Sequence, residues 1–376
     1  MKKLLFYVIS TLSLVIAVSC IYLENRYGGG SRFPDLTTAP TLSGDKLEIV
    51  ANLSLPPGNI AVSEKGRVIF SYHPEAKPAI KIAEMVNGQA VELALETPPN
   101  VSLQNILGIR IDLKNRLWVL DNAEHGIGQP RLLAFNLDSL KTEYIHDFPS
   151  EIAGIGSHLN DLQVSKDGNY VYIADASIFA QTPAIIVHST IEKKSRRILE
   201  GHHSVVPDNY LPVVQGKKML MGGILAVRPG VDSIALSRDG LWLYFAPVTD
   251  EFMYRIKVSD IHDADIPNKV LEEKVERFAA KTMSDGITID NSGRIYISDI
   301  ENSAINRLWP DGTLETFIKD DILRWPDGFS FGPDGWLYVT SSSLQHVIFK
   351  SQDHILSKSP YHIFRVKTDS KASSGH

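Results

Sequence analysis

Cysteine is nearly absent. Cys20 is the only one in 376 residues, so no intramolecular disulfide can form and packing and hydrogen bonds must hold the fold. An excess of basic charge is also missing: 38 Lys and Arg against 44 Asp and Glu leave a formal charge of -6. That balance gives no electrostatic footprint for nucleic acid. The chain has no HExxH, no glycine-rich phosphate loop and no GxSxG elbow, so zinc-protease, nucleotide-cofactor and serine-hydrolase readings have no motif behind them. Nor does the body contain a long apolar stretch of 3.6 period, which disfavours a helical or α/β architecture.

What is present begins with Lys2 and Lys3, followed by an uncharged apolar run over residues 4–23. Such a run is an export signal or a membrane anchor. The stretch AVSC (17–20) carries small residues before Cys20 and suits signal-peptidase cleavage or lipidation at Cys20, whereas Ile21, Tyr22 and Leu23 prolong the run as an anchor would. In each case the body is expected outside the cytoplasmic membrane, touching it only through this segment. Residues 24–44 are rich in Gly, Pro, Ser and Thr and read as a flexible tether. Residues 368–376 read as a disordered tail.

Between them, over residues 45–367, one pattern occurs six times. Its clearest copy is SDGITIDNSGRIYISD (284–299), an alternating strand, a turn and a returning strand. Counting from heads at Gly58, Leu107, Asn160, Asp232, Asp285 and Asp327, the turn residue lies eight positions on, at Gly66, Asn115, Gly168, Gly240, Gly293 and Gly335. An aromatic follows in five copies: Trp118, Tyr172, Tyr244, Tyr296 and Tyr338. A repeat of this length predicts an all-β, six-bladed β-propeller with a central channel, a ring that protects its strand edges by closure. The longer interval between Asn160 and Asp232 predicts an inserted loop, able to cover the channel mouth or to hide a degenerate seventh copy. YHIFRVKT and DKLEIVANL, near the two ends, predict strands that pair to close the ring.

Six inner strands starting at one mouth bring their heads together. Asn160, Asp232, Asp285 and Asp327 then place an amide and three carboxylates on four successive blades, an arrangement that needs a cation, protons or hydrogen-bond donors. Asn160, Asp232 and Asp285 are candidate ligands for a divalent cation, calcium above all. With Asp327 and His203, which sits in the inserted loop, they are also candidates for binding a small organic molecule. Asp285 and His158, two positions before Asn160, are the candidates for acid–base catalysis. Alternation allows only one of Asn160 and Asp161 to face the channel, and the repeat register selects Asn160. His202 shares the inserted loop, and His346 is a weaker candidate.

LWVLDNAE followed by PRLLAFNLDSLK, HLNDLQVS with VYIADAS, and DSIALSRDGLWLYFAPVTDEFMYRIKVSDI resemble the major royal jelly protein / Yellow family in order and spacing. The resemblance implies a secreted six-bladed propeller that binds a small organic molecule or, as for some insect members, supports a tautomerase-like conversion. The cysteines of insect members are missing here, as in a bacterial branch. A more distant similarity, carried by SDGITIDNSGRIYISD and HLNDLQVSKDG, is to the senescence-marker-protein / gluconolactonase propellers. It implies metal-dependent lactone hydrolysis with Asp285 and Asn160 as ligands and Asp232 in an asparagine position. The first-blade glutamate of that family has no counterpart, since Gly58 and Asn59 stand there. Binding of a protein partner remains a third expectation for such a surface.

Overall fold

The computed structural model describes residues 2–373. Six four-stranded antiparallel sheets follow one another around a ring, and their inner strands neighbour one another in closed order. Those inner strands are Pro57–Val62, Ile106–Ile111, Leu159–Val164, Val231–Leu236, Ile287–Ile289 and Pro326–Phe331. They are buried almost throughout, because each is covered by its neighbours on both sides, and this explains their runs of Ile, Leu and Val. The turn glycines Gly66, Gly168, Gly240, Gly293 and Gly335 have φ between 70° and 80°, a region that a residue with a Cβ seldom adopts.

The sixth blade is made from both ends of the chain. Leu47–Leu53 pairs with Tyr361–Lys367, so that Leu47 lies opposite Val366. The recurring aromatics pack between blades: Trp118, Tyr172 and Tyr296 are fully buried, and Trp118 Nε1 donates to Asp112 at 2.8 Å. Asp121 and Asp175, at the ends of second strands, are braces. Asp121 accepts from the backbone N–H of Gln104 and Asn105, and Asp175 accepts from that of His158.

Two segments expected to be loose are packed. In the tether, Phe33 is buried against Tyr210, and Thr41 and Leu42 bond to the outer strand of blade 5. Beyond residue 367, Asp369 binds Arg294 and Arg307 at 3.1 and 2.9 Å, and the carbonyl of Lys371 accepts from Asn291. Both segments follow the ring because it offers unpaired strand edges and charged partners. Residues 374–376 of the expected tail lie outside the described residues.

The insertion between blades 3 and 4 holds no seventh blade. It forms two short hairpins, Val213–Val214 with Lys217–Lys218 and Leu220–Met221 with Leu225–Ala226. At the N-terminus, Lys2–Leu23 is one helix with no buried residue, its side chains exposed except for the half-buried Cys20, and it is long and apolar enough to cross a membrane.

Candidate functional site

The channel mouth encloses a cavity of about 90 Å³. Its floor is carboxylate: Asp161, Asp232, Asp285 and Asp327 all border it, with Asn59 and Asn160, and no lysine or arginine does. Its roof is apolar, with Met219 and Val227 from the insertion, Phe179 from the blade 3 loop, and Leu344, Ile348 and Phe349 from the blade 6 loop. The insertion therefore covers the mouth, as its length predicts.

A β-bulge gives the floor its density. The pairing of first and second strands slips just after the head in five blades, between Leu159 and Leu162 in blade 3 and between Pro326 and Phe329 in blade 6, for example. A bulge puts two residues where regular pairing allows one and re-aims their side chains. Asn160 and Asp161 consequently both reach the cavity, contrary to the alternation rule. The glycines beside Asp285 and Asp327 serve a related purpose. A Cβ on Gly286 would collide with the carbonyl of Asp327, so this residue lets adjacent inner strands approach.

The acids are held by neighbours. Asn160 donates its amide to Asp232, and Trp325 donates its indole N–H to Asp285. Ser342 donates to Asp327 at 2.6 Å. Asp161 accepts from Asn59 at 3.1 Å and from Arg110 at 3.3 Å. Burial raises the pKa of all four carboxyls. For Asp232 and Asp327 the negative charge of Asp285 adds to burial and pushes them well above the usual carboxylate range. Asp285 is pushed up to about 6 by burial, against the opposing help of Trp325 and of its hydrogen bond with Asp232. In both Asp232 and Asp285, then, burial favours the protonated carboxyl.

Trp325 has φ of 60°, a rare conformation for a bulky residue and one that surrounding structure has to enforce. The enforced pose points the indole at Asp285. The sequence carries no repeat signal for this residue, which stands two positions before a blade head.

A second wall is imidazole. His158 Nδ1 lies 2.8 Å from His125 Nδ1, the rings are stacked with centroids 4.7 Å apart, and His125 Nε2 is 3.7 Å from Glu75. His73 completes this wall. Burial holds His73 at about 4 and His158 well below 6.5, so both are neutral at pH 7. His158 therefore reaches the cavity, as the sequence suggests, while His73, His125 and Glu75 come from loops outside the repeat.

The other histidine candidates do not reach it. His203 is exposed against Tyr254, because the insertion turns it outward, and His202 bonds Ser204. His346 is engaged by Lys217 at 2.9 Å.

Among the described residues no group of three or more His, Cys, Asp or Glu side chains is arranged to hold a metal ion. Asn160, Asp232 and Asp285 are adjacent but are hydrogen-bonded to one another. At the first-blade position Gly58 supplies no ligand, and a Cβ there would sit 3.0 Å from Ser71 Oγ. The donor set therefore does not fit the metal centre of the lactonase-type propellers.

The sequence over residues 104–371 matches the major royal jelly protein family. The chain belongs to that family. Among curated proteins, none matches this royal jelly family member in sequence. Solved structures share its fold at low identity. A calcium-binding protein, regucalcin, from Agrobacterium tumefaciens is 14% identical with a TM-score of 0.58, the match covering 89% of this chain and 99% of that one. A gluconolactonase from Xanthomonas campestris is 13% identical with a TM-score of 0.54, covering 85% and 88%. A luciferin-regenerating enzyme is 14% identical with a TM-score of 0.55, covering 88% and 97%.

Proposed function

We propose that this protein is an extracytoplasmic propeller that binds a small organic cation, an amine with an apolar or aromatic body, in the channel mouth. One observation carries the reading: three buried carboxyls, Asp161, Asp232 and Asp285, meet the half-buried Asp327 in a cavity that no lysine or arginine lines, beneath an apolar roof. A buried cluster of this kind is relieved by a positive ligand, and Coulomb attraction is strong where water is excluded. The roof of Phe179, Leu344 and Phe349 supplies the apolar half, the usual composition of a small-molecule pocket. An ammonium also has three donors to offer, and the carboxylates are acceptors.

A second reading keeps the positive charge and changes its chemistry to calcium between Asn160, Asp232 and Asp285. The same excess of carboxylate favours it, since calcium takes several oxygen ligands. It requires Asn160 to turn its amide oxygen inward and the Asp232 and Asp285 carboxyls to separate.

Titration calorimetry with 2-phenylethylamine and with its neutral analogue 2-phenylethanol tests the first reading. The amine is expected to bind, the alcohol is not, and Asp285→Asn is expected to weaken the amine at least tenfold, the equivalent of about 1.4 kcal/mol. Equal binding of amine and alcohol, or of neither, would overturn it. Melting raised by calcium without amine, and lost in Asp285→Asn, would select the second reading.

A further inference from the structure

The end of the N-terminal helix is not free of the propeller. After Lys2–Leu23 a short π-helical turn, Glu24–Gly28, packs on the hairpin of the insertion that ends at Leu225–Ala226. Arg228 then donates to the carbonyl of Gly29, and Ser31 bonds Asn209 at 3.0 Å. Every one of these contacts lies on the cap over the channel mouth. Leu23 and Tyr27 also form a wall of a second cavity, of about 500 Å³, whose other walls include Ile178, Val227 and Phe349. Those three residues also line the acidic cavity. The two cavities adjoin across Ile178, Val227 and Phe349.

Exposed apolar side chains occur at both ends of the channel. Ile127, Ile155, Phe179 and Phe349 are at the mouth, while Leu113, Ile191 and Leu241 are at the far hairpin turns. Apolar exposure therefore does not choose a face. The exit of the chain does. The helix has 22 residues, about 33 Å at 1.5 Å per residue, which matches a hydrocarbon core of about 30 Å. With no slack between its last turn and the cap, a helix that spans a bilayer leaves the mouth at the headgroups. Tyr22 and Tyr27 flank that boundary, the depth at which tyrosine is favoured.

The geometry points to a bilayer-facing mouth: the membrane that holds Lys2–Leu23 is the surface on which the channel-mouth cap rests, and the Leu23–Tyr27 cavity is a side entrance for ligands dissolved in lipid. The orientation rests on the membrane-held reading of the N-terminus and is independent of whether the ligand is an amine. Lipophilic ligands would partition into the bilayer first and reach the carboxylates from it, whereas the far end of the channel faces bulk water.

The full chain, with Cys20→Ser as background, tests this. Single cysteines replace Ile155 and Phe349 at the mouth and Leu113 and Leu241 at the far turns. All four are well exposed, 48% or more, so the changes leave the core intact. Each carries a bimane label in vesicles of phosphatidylcholine and phosphatidylglycerol containing headgroup-nitroxide lipid. Quenching is expected to be several-fold stronger for I155C and F349C than for L113C and L241C. Equal or reversed quenching would overturn the inference, as would a full chain that fails to float with the vesicles. Failure of 2-phenylethylamine to bind the detergent-solubilised chain would instead sink the ligand reading and leave the quenching pattern standing.

Discussion

The guanidinium of Arg110 lies 3.3 Å from the carboxylate of Asp161, and both are buried beneath the cavity floor. Arg110 also donates to the carbonyls of Leu162 at 3.3 Å and Phe329 at 3.2 Å, so one side chain from blade 2 ties blades 3 and 6 across the channel. It is the cation paired to the acid cluster, and its charge is spent on Asp161. Arg110→Met should lower stability by about 3–5 kcal/mol, since removing one partner leaves a buried charge uncompensated. Urea denaturation measures this. Adding Asp161→Asn should recover part of the loss, and a double change that is simply additive would show that the two residues do not act as a pair.

The raised carboxyl of Asp285 makes stability depend on pH in a stated direction. Its folded value of about 6 lies above the ordinary 3.8, so folding favours the protonated form. The contribution is complete below about pH 4 and disappears as pH rises through about 6. Asp285→Asn should therefore gain stability relative to the natural protein between about pH 4 and pH 7, by on the order of 2–3 kcal/mol. Thermal unfolding across that range checks it. A constant difference would show that Asp285 is ionised throughout.

Trp325→Phe keeps the ring and removes the N–H that supports the Asp285 carboxylate. Without that donor the carboxyl should hold its proton to higher pH, and the pH at which 2-phenylethylamine binding sets in should move upward. Calorimetry from about pH 5 to about pH 8 reads this directly, because a primary amine keeps its charge over the range in which the carboxyl titrates. An unchanged profile would remove Trp325 from the site.

Truncation after Ser359 should abolish cooperative unfolding. It deletes Tyr361–Lys367, the strand that joins Trp336–Ser341 to the N-terminal strand Leu47–Leu53. Tyr361, Ile363, Phe364 and Val366 are fully buried, so Leu47–Leu53 would lose its partner and Trp336–Ser341 one of its two. A truncated protein with an unaltered melting curve would contradict this closure.

The ring was legible in the sequence because each blade repeats one hairpin, with a turn residue eight positions after the head and an apolar alternation on either side. Asn160, Asp232, Asp285 and Asp327 were legible for the same reason: equivalent positions in a ring converge. Asp161 was hidden by the bulge, which adds a residue that alternation does not count. His73, Glu75, His125 and Trp325 lie in loops, where no period relates one blade to the next. His203 was misplaced by a similar limit, since the length of an insertion says that it can reach the mouth but not which of its side chains turn inward.

The pairing of Leu47 with Val366 also sets an order of events. The first strand of the ring finds its partner only in the last one to be made, so the circle cannot close on the ribosome before nearly the whole chain has emerged. Contacts this distant in sequence form slowly, because a long loop must be ordered before they contribute. A polypeptide that stays open until its final strand arrives is still a thread for most of its synthesis, and the closing strand then acts as a latch.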